Sequence, residues 1–279
     1  MKALIDADIF QWEFGNGTDS EGVIQPWPFI QARVQSRISG IMEATGADSY
    51  QLYLTSDDKS NFRYEVATIQ PYKGNRKGKE KPHYYQQIRN FLKDHRGAIE
   101  VHGMEADDAL AIEQYKDYSV VKSACNTGDW EDHRSGFMYE SEIASTVICS
   151  RDKDLNMVPG YHYSWGAGNK IKEKEMWWTD ELTGLRSFYK QLLTGDSTDN
   201  IPGLFGVGKS SKLINRVDDA ASELECYDVV FPEYLKRFGS YAEQFIIENG
   251  RLLWMLEHKD QRWLPPSDRM DICTNTTVQ

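Results

Sequence analysis

Several features that mark common protein classes are missing from this chain. It has only four cysteines, Cys125, Cys149, Cys226 and Cys273, and no two stand at metal-ligand spacing. That argues against a disulfide scaffold and a cysteine-based zinc site, and reads as reduced thiols in a cytosol. No apolar run approaches bilayer-spanning length, so no membrane partner is expected. The opening MKALIDADIF meets an acid at Asp6, too soon for a signal peptide, and reads as a strand that begins at once. Internal repeats and low-complexity tracts are absent. Basic charge is scarce: 32 Lys and Arg face 43 Asp and Glu, a net charge of −11. A duplex-coating protein is usually basic, so the total by itself argues weakly against a nucleic-acid partner.

What is present changes that picture. With 279 residues, 40% of them hydrophobic, the chain can bury a substantial core. The basic charge is locally concentrated: YKGNRKGKEKP, 72–82, carries five basic residues against one acid. Such a segment can hold a polyanion on an otherwise acidic protein, although in isolation it also fits a solvated loop.

Residues 3–5 read as a strand, and 50–54 as a second. Between them Trp27, Ile30, Val34, Ile38 and Ile41 share one helical face. Tyr84, Ile88, Phe91 and His95 mark another helix, and 103–115 a helix led by acids. Residues 145–150 read as a buried strand, YHYSW as the next, and 117–145 as a polar insertion. Alternating strands and helices predict an α/β fold with a central, mainly parallel sheet. From Asp180 onward helices dominate, with Tyr241, Phe245, Leu252 and Leu256 as a core face. The expected division is 1–180 as an α/β domain carrying a basic segment near 70–96, and 181–279 as a helical region.

Ligands of open parallel sheets bind beyond the carboxyl ends of the strands. Here those ends are acidic. The first offers Asp6 and Asp8, the second Asp57 and Asp58, the strand at 145–150 Asp152 and Asp154. Spacing of two in an extended chain puts both members of a pair on one side. The helix start adds Glu105, Asp107 and Asp108. A lone Asp at a strand end is an ordinary turn former or helix cap. Acids at three strand ends plus a helix start are harder to explain that way. Gathered carboxylates repel unless cations bind them, and Mg²⁺ prefers oxygen ligands. Two such ions can clamp the attacking and leaving oxygens of a phosphodiester.

A further stretch, TGDSTDNIPGLFGVGKSSKLI at 194–214, combines Asp196 and Asp199 with Gly206, Gly208 and Lys209 ahead of a helix. GLFGVGKS satisfies the Walker A pattern, but it follows DNIP rather than an apolar strand, which argues against an ATP loop.

In the order LIDAD, YKGNR, GMEADD, VICSRDKDL and GDSTDNIPGLFGVG, from Asp6 to about Leu213, the chain resembles the 5′ nucleases, meaning flap endonucleases and 5′→3′ exonucleases, and especially their phage-encoded branch. The resemblance implies a PIN-like catalytic domain and a helical region with a helix–hairpin–helix-type duplex-binding element near 194–214. It implies two Mg²⁺ ions, replaceable by Mn²⁺, held by Asp6, Glu105, Asp107, Asp108, Asp152, Asp154, Asp196 and Asp199. Asp57, favoured over Asp58, is the acid after the second strand, and Asp8 is a neighbour of the cluster or merely structural. Asp6, Asp107 and Asp152, with Lys73 and Arg76, are the implied catalytic residues. The segment YKGNR implies an arch at whose base Lys73 touches the scissile phosphate, Arg76 supports the developing charge and Tyr72 stacks on a terminal base. Lys77 extends that DNA-binding set. Gly206, Gly208 and Lys209 would hold duplex phosphates without reading bases, with a monovalent cation, K⁺, at the turn. The implied reaction is hydrolysis at DNA 5′ ends or flaps, and on RNA·DNA hybrids such as primers, leaving a 3′-hydroxyl and a 5′-phosphate. The implied setting is phage replication or recombination in a bacterial cytoplasm, by a monomer. Two other readings compete: a non-catalytic DNA-structure-binding protein, which leaves the strand-end acids unexplained, and a PIN-type ribonuclease, which does not need the glycine element.

Overall fold

The structure, a computed structural model, describes residues 1–76, 78, 80–126, 144–168 and 170–266. Elements are numbered along the chain. The chain forms two compact units, one of Met1–Lys59 with Lys79–Thr179, the other of Ser60–Gly78 with Asp180–Gln279. The sequence reading set the helical region at 181–279. Residues 60–78, however, group with the C-terminal unit, whereas the sequence reading kept the basic segment with the α/β domain. Their anchors, described below, are all to residues beyond 180.

The N-terminal unit is built on strands β1 (Lys2–Asp6), β2 (Ser49–Thr55), β3 (Ile99–Val101), β4 (Thr146–Cys149), β5 (Gly160–Ser164) and β6 (Lys174–Thr179). They lie in the order β3-β2-β1-β4-β5-β6. Neighbours pair in parallel from β3 to β5, and β6 closes the edge antiparallel to β5. Strands β1 and β4 are buried almost throughout, which explains their uninterrupted apolar runs. Both β3 and β6 escaped the sequence reading. The first is too short to show a period, and the second, KEMWWT, carries charge at its exposed edge.

Helices α1 (Asp8–Glu13), α2 (Trp27–Thr45), α4 (Tyr85–Arg96) and α5 (Ala106–Asn126) belong to this unit. The predicted stripe on α2 is the buried one: Ile30, Val34, Ile38 and Ile41 pack with Ala3, Ile5, Leu52 and Leu54 in a shared core. Helix α5 outruns its predicted end at 115, because residues 116–126 contain neither glycine nor proline to break it. The rest of the predicted insertion, 127–143, lies outside the described residues.

The C-terminal unit contains α3 (Arg63–Val66), α6 (Glu181–Thr194), the hairpin β7 (Gly195–Asp196) and β8 (Ile201–Pro202), α7 (Lys212–Asp219), α8 (Glu223–Phe238) and α9 (Ala242–Leu253). Its interior is formed by Phe188, Tyr189, Leu192, Val230, Tyr234, Ile246 and Leu252. A polar chain crosses that interior: the Tyr234 hydroxyl donates to the Leu192 carbonyl at 2.7 Å, and Asn249 Nδ2 donates to Pro202 O at 2.8 Å and to the Tyr234 oxygen at 3.0 Å. Of the predicted core face, Leu252 and Leu256 are buried, but Tyr241 is 64% exposed, because it falls in the short turn before α9 and off its apolar stripe. Hairpin β7–β8 requires glycine at both ends, since a Cβ on Gly195 would lie 2.2 Å from Gly203 N.

Segment 60–78 is fixed within this unit by buried charge. Arg63, 1% exposed, donates from Nε to Leu252 O and from Nη2 to Trp254 O, both at 2.9 Å, satisfying carbonyls at the end of α9. Glu248 on α9 accepts from Thr68 N at 2.8 Å, from Ile69 N at 2.7 Å and from the Thr68 hydroxyl.

Among the described residues no helix is long and apolar enough to cross a membrane. Cys149 and Cys226 are buried free thiols.

Candidate active site

In the sheet order, the chain winds outward from β1 through β2 to β3, then returns to β4 on the other side of β1. The β1/β4 boundary is therefore a topological switch point, where a crevice opens beyond the strand ends. Asp6 ends β1 there, and Ser150 and Asp152 follow β4. The Ser150 hydroxyl donates to Asp6 Oδ2 at 2.9 Å and accepts from Asp152 N at 3.0 Å, tying the two strand ends together.

The neighbouring ends join the same network. Asp8 is not extended as the sequence spacing implied. It is the first residue of α1, and its N–H donates to Asp6 Oδ1 at 3.1 Å. The Asp8 carboxylate accepts from Thr55 N, at the end of β2, at 3.1 and 3.2 Å. The Thr55 hydroxyl in turn accepts from Ala106 N at 2.9 Å, at the start of α5. Inside that first turn Asp108 Oδ2 accepts from Glu105 N at 3.1 Å, and Asp108 is fully buried. After β4 the local turn recurs: Asp154 N donates to Asp152 Oδ1 at 2.9 Å. Asp-x-Asp is thus a turn-forming unit here, each first carboxylate capping the N–H two residues on.

These acids sense one another. Burial, then the charges of Asp8 and Asp152, push the Asp6 carboxyl up to about 8. Asp8 is also raised, by burial first and with the charge of Glu105 contributing, against the hydrogen bonds from Thr55. Mutual repulsion among closely set carboxylates is what a bound cation relieves. In donor chemistry the set is all oxygen and suits a hard divalent ion. As the side chains stand, no group of three Asp, Glu, His or Cys residues among the described residues is in a ligating arrangement. The oxygens instead face the N–H and hydroxyl donors just named.

One buried cation was missed by sequence reasoning. Arg89, 2% exposed, lies 3.9 Å from Asp8, 3.7 Å from Asp57 and ion-pairs with Glu100. Burial lowers its pKa, but Glu100, Asp57 and Asp8 outweigh that and raise it. The available signal was an arginine on the apolar face of α4, between Tyr85 and Leu92. Ser150 and Thr55 were missed as well; each is the hydroxyl residue that ends an apolar run. Asp57 also meets Lys81 at 3.2 Å, whereas Asp58 pairs with His102. Asp107 is half-buried on α5, and Asp154 pairs with Lys153 at 2.7 Å.

The remaining predicted residues belong to the C-terminal unit. There the turn 71–76 and the loop 196–200 are joined along their length. Lys73 N donates to Asp199 O at 2.9 Å, Asn75 Nδ2 to Ser197 O at 2.7 Å and Asn200 Nδ2 to Pro71 O at 2.9 Å. The Asp199 carboxylate accepts from the Tyr72 hydroxyl at 2.7 Å, ion-pairs with Arg76, and lies 3.7 Å from Lys73 Nζ. Asp196 is buried and accepts from Thr198 N at 2.6 Å. Lys73 and Asn200 have left-handed backbones, φ 53° and 61°, a strained state for residues with a Cβ that persists only where surroundings impose it. Tyr72 differs from expectation. Its ring is 5% exposed, with Tyr64 edge-on at 5.5 Å and the Lys73 ammonium 5.1 Å from its centre, so it faces protein and is not an open stacking surface. Gly206, Gly208 and Lys209 are exposed ahead of α7. Lys77 lies outside the described residues.

This is an α/β PIN-like fold, a mostly parallel sheet with its acids at the switch point. No protein-family profile matches the chain, and no curated protein is similar to it in sequence. Solved structures resemble it in fold. The bacteriophage T5 flap endonuclease, in a pseudo-enzyme–product complex with DNA and metal ions, superposes with a TM-score of 0.57 at 15% identity, over 92% of this chain and 88% of that one. A T5 5′-exonuclease variant gives 0.49 at 14% identity, over 92% and 87%. Flap endonuclease-1 from Methanococcus jannaschii gives 0.47 at 12%, over 99% and 86%. Identity this low speaks to the fold alone.

Proposed function

We propose that the chain is a divalent-metal-dependent 5′ nuclease that hydrolyses phosphodiesters at DNA 5′ ends and flaps, leaving a 3′-hydroxyl and a 5′-phosphate. The observation that carries this reading is the set of buried carboxylates gathered at the strand ends: Asp6 is pushed up to about 8 by burial and then by the charges of Asp8 and Asp152, and Asp8 is raised by burial with Glu105 contributing. The residues that would hold the cations, Mg²⁺ or Mn²⁺, are Asp6, Glu105, Asp107, Asp108, Asp152 and Asp154, with Asp57 beside them. When bound, the ions supply the positive charge that the attacking and leaving oxygens of a phosphodiester require.

The chain's own groups do the rest. Ser150 holds Asp6 Oδ2 and so orients Oδ1; Thr55 fixes Asp8 against the start of α5. Arg89 places buried positive charge beside Asp8 and Asp57, limiting the repulsion that the fold has to bear. From the C-terminal unit, Lys73 and Arg76 direct charge to phosphate, and Asp199 keeps both in position. The sequence assignment of Asp196 and Asp199 to cation binding is part of the same proposal. Gly206, Gly208 and Lys209 hold duplex phosphates through exposed backbone and an exposed ammonium. RNA·DNA hybrids, K⁺ at this turn, a role in phage replication and a monomeric state complete the reading.

The test is cleavage of 5′-labelled flap, blunt duplex and RNA·DNA substrates, with and without Mg²⁺, by the wild type and Asp152→Ala. Expected are Mg²⁺-dependent release of short 5′ products by the wild type, and retained binding without cleavage by the variant. Full activity of Asp152→Ala would remove the acid cluster from the reaction.

A further inference from the structure

Isolated exposed apolar side chains are common on protein surfaces, but Phe205 is placed in a particular way. It is 86% exposed, more than any other exposed large hydrophobic residue described. The turn that carries it is anchored on both sides. Ile201 and Leu204 are buried, Leu204 N donates to Leu193 O at 2.8 Å, and Val207 N closes back on Leu204 O at 3.0 Å. Gly206 supplies the positive φ, 83°, that such a turn needs at its third position, and the ring of Phe205 is left standing in water.

Beside that ring stands one positive charge. The Arg237 guanidinium, from the last turn of α8, lies 5.5 Å from the ring centre. Among the described residues, Lys209, Lys212, Arg216 and Arg237 make no ion pair or hydrogen bond through their side chains, and all four are exposed. In a protein of net charge −11, an unpaired arginine beside a projecting aromatic ring and an unpaired lysine four residues further along the chain are complementary to a polyanion. Gly208 adds to this. It has no positive φ, and a Cβ there would meet nothing within 4 Å, so the fold itself does not demand glycine. Its bare backbone suits close approach by something outside the chain.

In a paired duplex the bases are stacked on each other, so a ring beside phosphate-binding groups meets what lies between successive phosphates, the sugar. Deoxyribose presents carbon at its 2′ position. Ribose presents a hydroxyl that would lose water against the ring without gaining a partner. We propose that Phe205 is a sugar-reading contact, packing on deoxyribose of the strand whose phosphates are held by Gly206, Gly208, Lys209 and Arg237, and thereby favouring DNA over RNA on that strand. This rests on the duplex-binding reading given above for 194–214.

The experiment is fluorescence anisotropy in EDTA, which blocks cleavage, with a DNA duplex, both orientations of the RNA·DNA hybrid and an RNA duplex, over a series of KCl concentrations. The proteins are wild type, Phe205→Ala, Phe205→Leu and Lys209→Ala/Lys212→Ala. Because Phe205 is in solvent, both of its variants should keep the wild-type circular dichroism melt. Phe205→Ala is expected to weaken DNA-duplex binding about tenfold, to leave unchanged the hybrid with RNA on the held strand, and to keep the salt slope. Phe205→Leu should retain most of the preference for DNA. The lysine double variant should flatten the salt slope by about two. Wild-type-like binding by Phe205→Ala, or equal weakening on all four duplexes, overturns the sugar contact, while the flattened slope of the lysine variant keeps the duplex element standing. If the wild type binds no duplex at all, the element's assignment fails and the sugar contact fails with it.

Discussion

His162 gives the fold a calculable weakness to acid. It lies on β5, 2% exposed, its Nε2 2.7 Å from Val158 O and its ring stacked on Trp177 at 5.4 Å. Burial pulls its pKa from 6.5 down to about 4, with the hydrogen bond to Val158 opposing only in part. The folded chain therefore keeps this imidazole neutral, while the unfolded chain accepts a proton near its ordinary value. The stabilisation is whole above pH 6.5 and is lost as pH falls towards about 4. A shift of that size corresponds to ~3 kcal/mol at the acid end of the window. Other groups also titrate there, so the measurement is a difference. Urea unfolding of the wild type and of His162→Gln, followed by circular dichroism from pH 7.5 to 4.5, should give curves whose separation changes by about 2.5 kcal/mol. The wild type should lose the more on acidification, because the glutamine cannot take up a proton. Parallel curves across the whole range would refute the reasoning, since they would mean that the buried ring costs nothing to charge.

Asp6→Asn removes a carboxylate that burial and two neighbouring charges oppose, so it should abolish cleavage while raising the melting temperature by about 2–4 °C; a lower melting temperature would contradict the repulsion. Arg63→Ala strips two carbonyls at the end of α9 of their buried partner, and at about 1–3 kcal/mol for each unsatisfied group should cost about 2–6 kcal/mol in urea unfolding; a cost below about 1 kcal/mol would mean that water replaces the guanidinium freely. Asp199→Asn takes the counter-charge from Lys73 and Arg76. Amide hydrogen exchange at 72–76 should accelerate in that variant, and unchanged protection there would show that the backbone bonds alone hold the turn.

Much of the fold was legible because its signals are local. The α2 stripe and the apolar runs of β1 and β4 follow from periodicity and residue type, which neighbouring residues determine. Strands β3 and β6 and hairpin β7–β8 are too short or too polar to carry a period, and exist because partners pair with them. The acids of the N-terminal unit were legible as types at strand ends. Their coupling was not, because Ser150 reaches Asp6 across 144 positions and Thr55 reaches Asp8 across 47.

The sequence by itself determined the α/β class, the acidic strand ends, the basic segment and the glycine turn, since each depends on residue type at short range. Tertiary structure alone decided which charges meet. It turned Asp8 into a helix start, buried Arg89 beside it and set Asp199 against the cations of 72–76. It also turned Tyr72 inward and Phe205 outward. Two aromatic residues that a linear reading cannot rank were thereby given opposite environments, because burial depends on what the rest of the chain brings alongside.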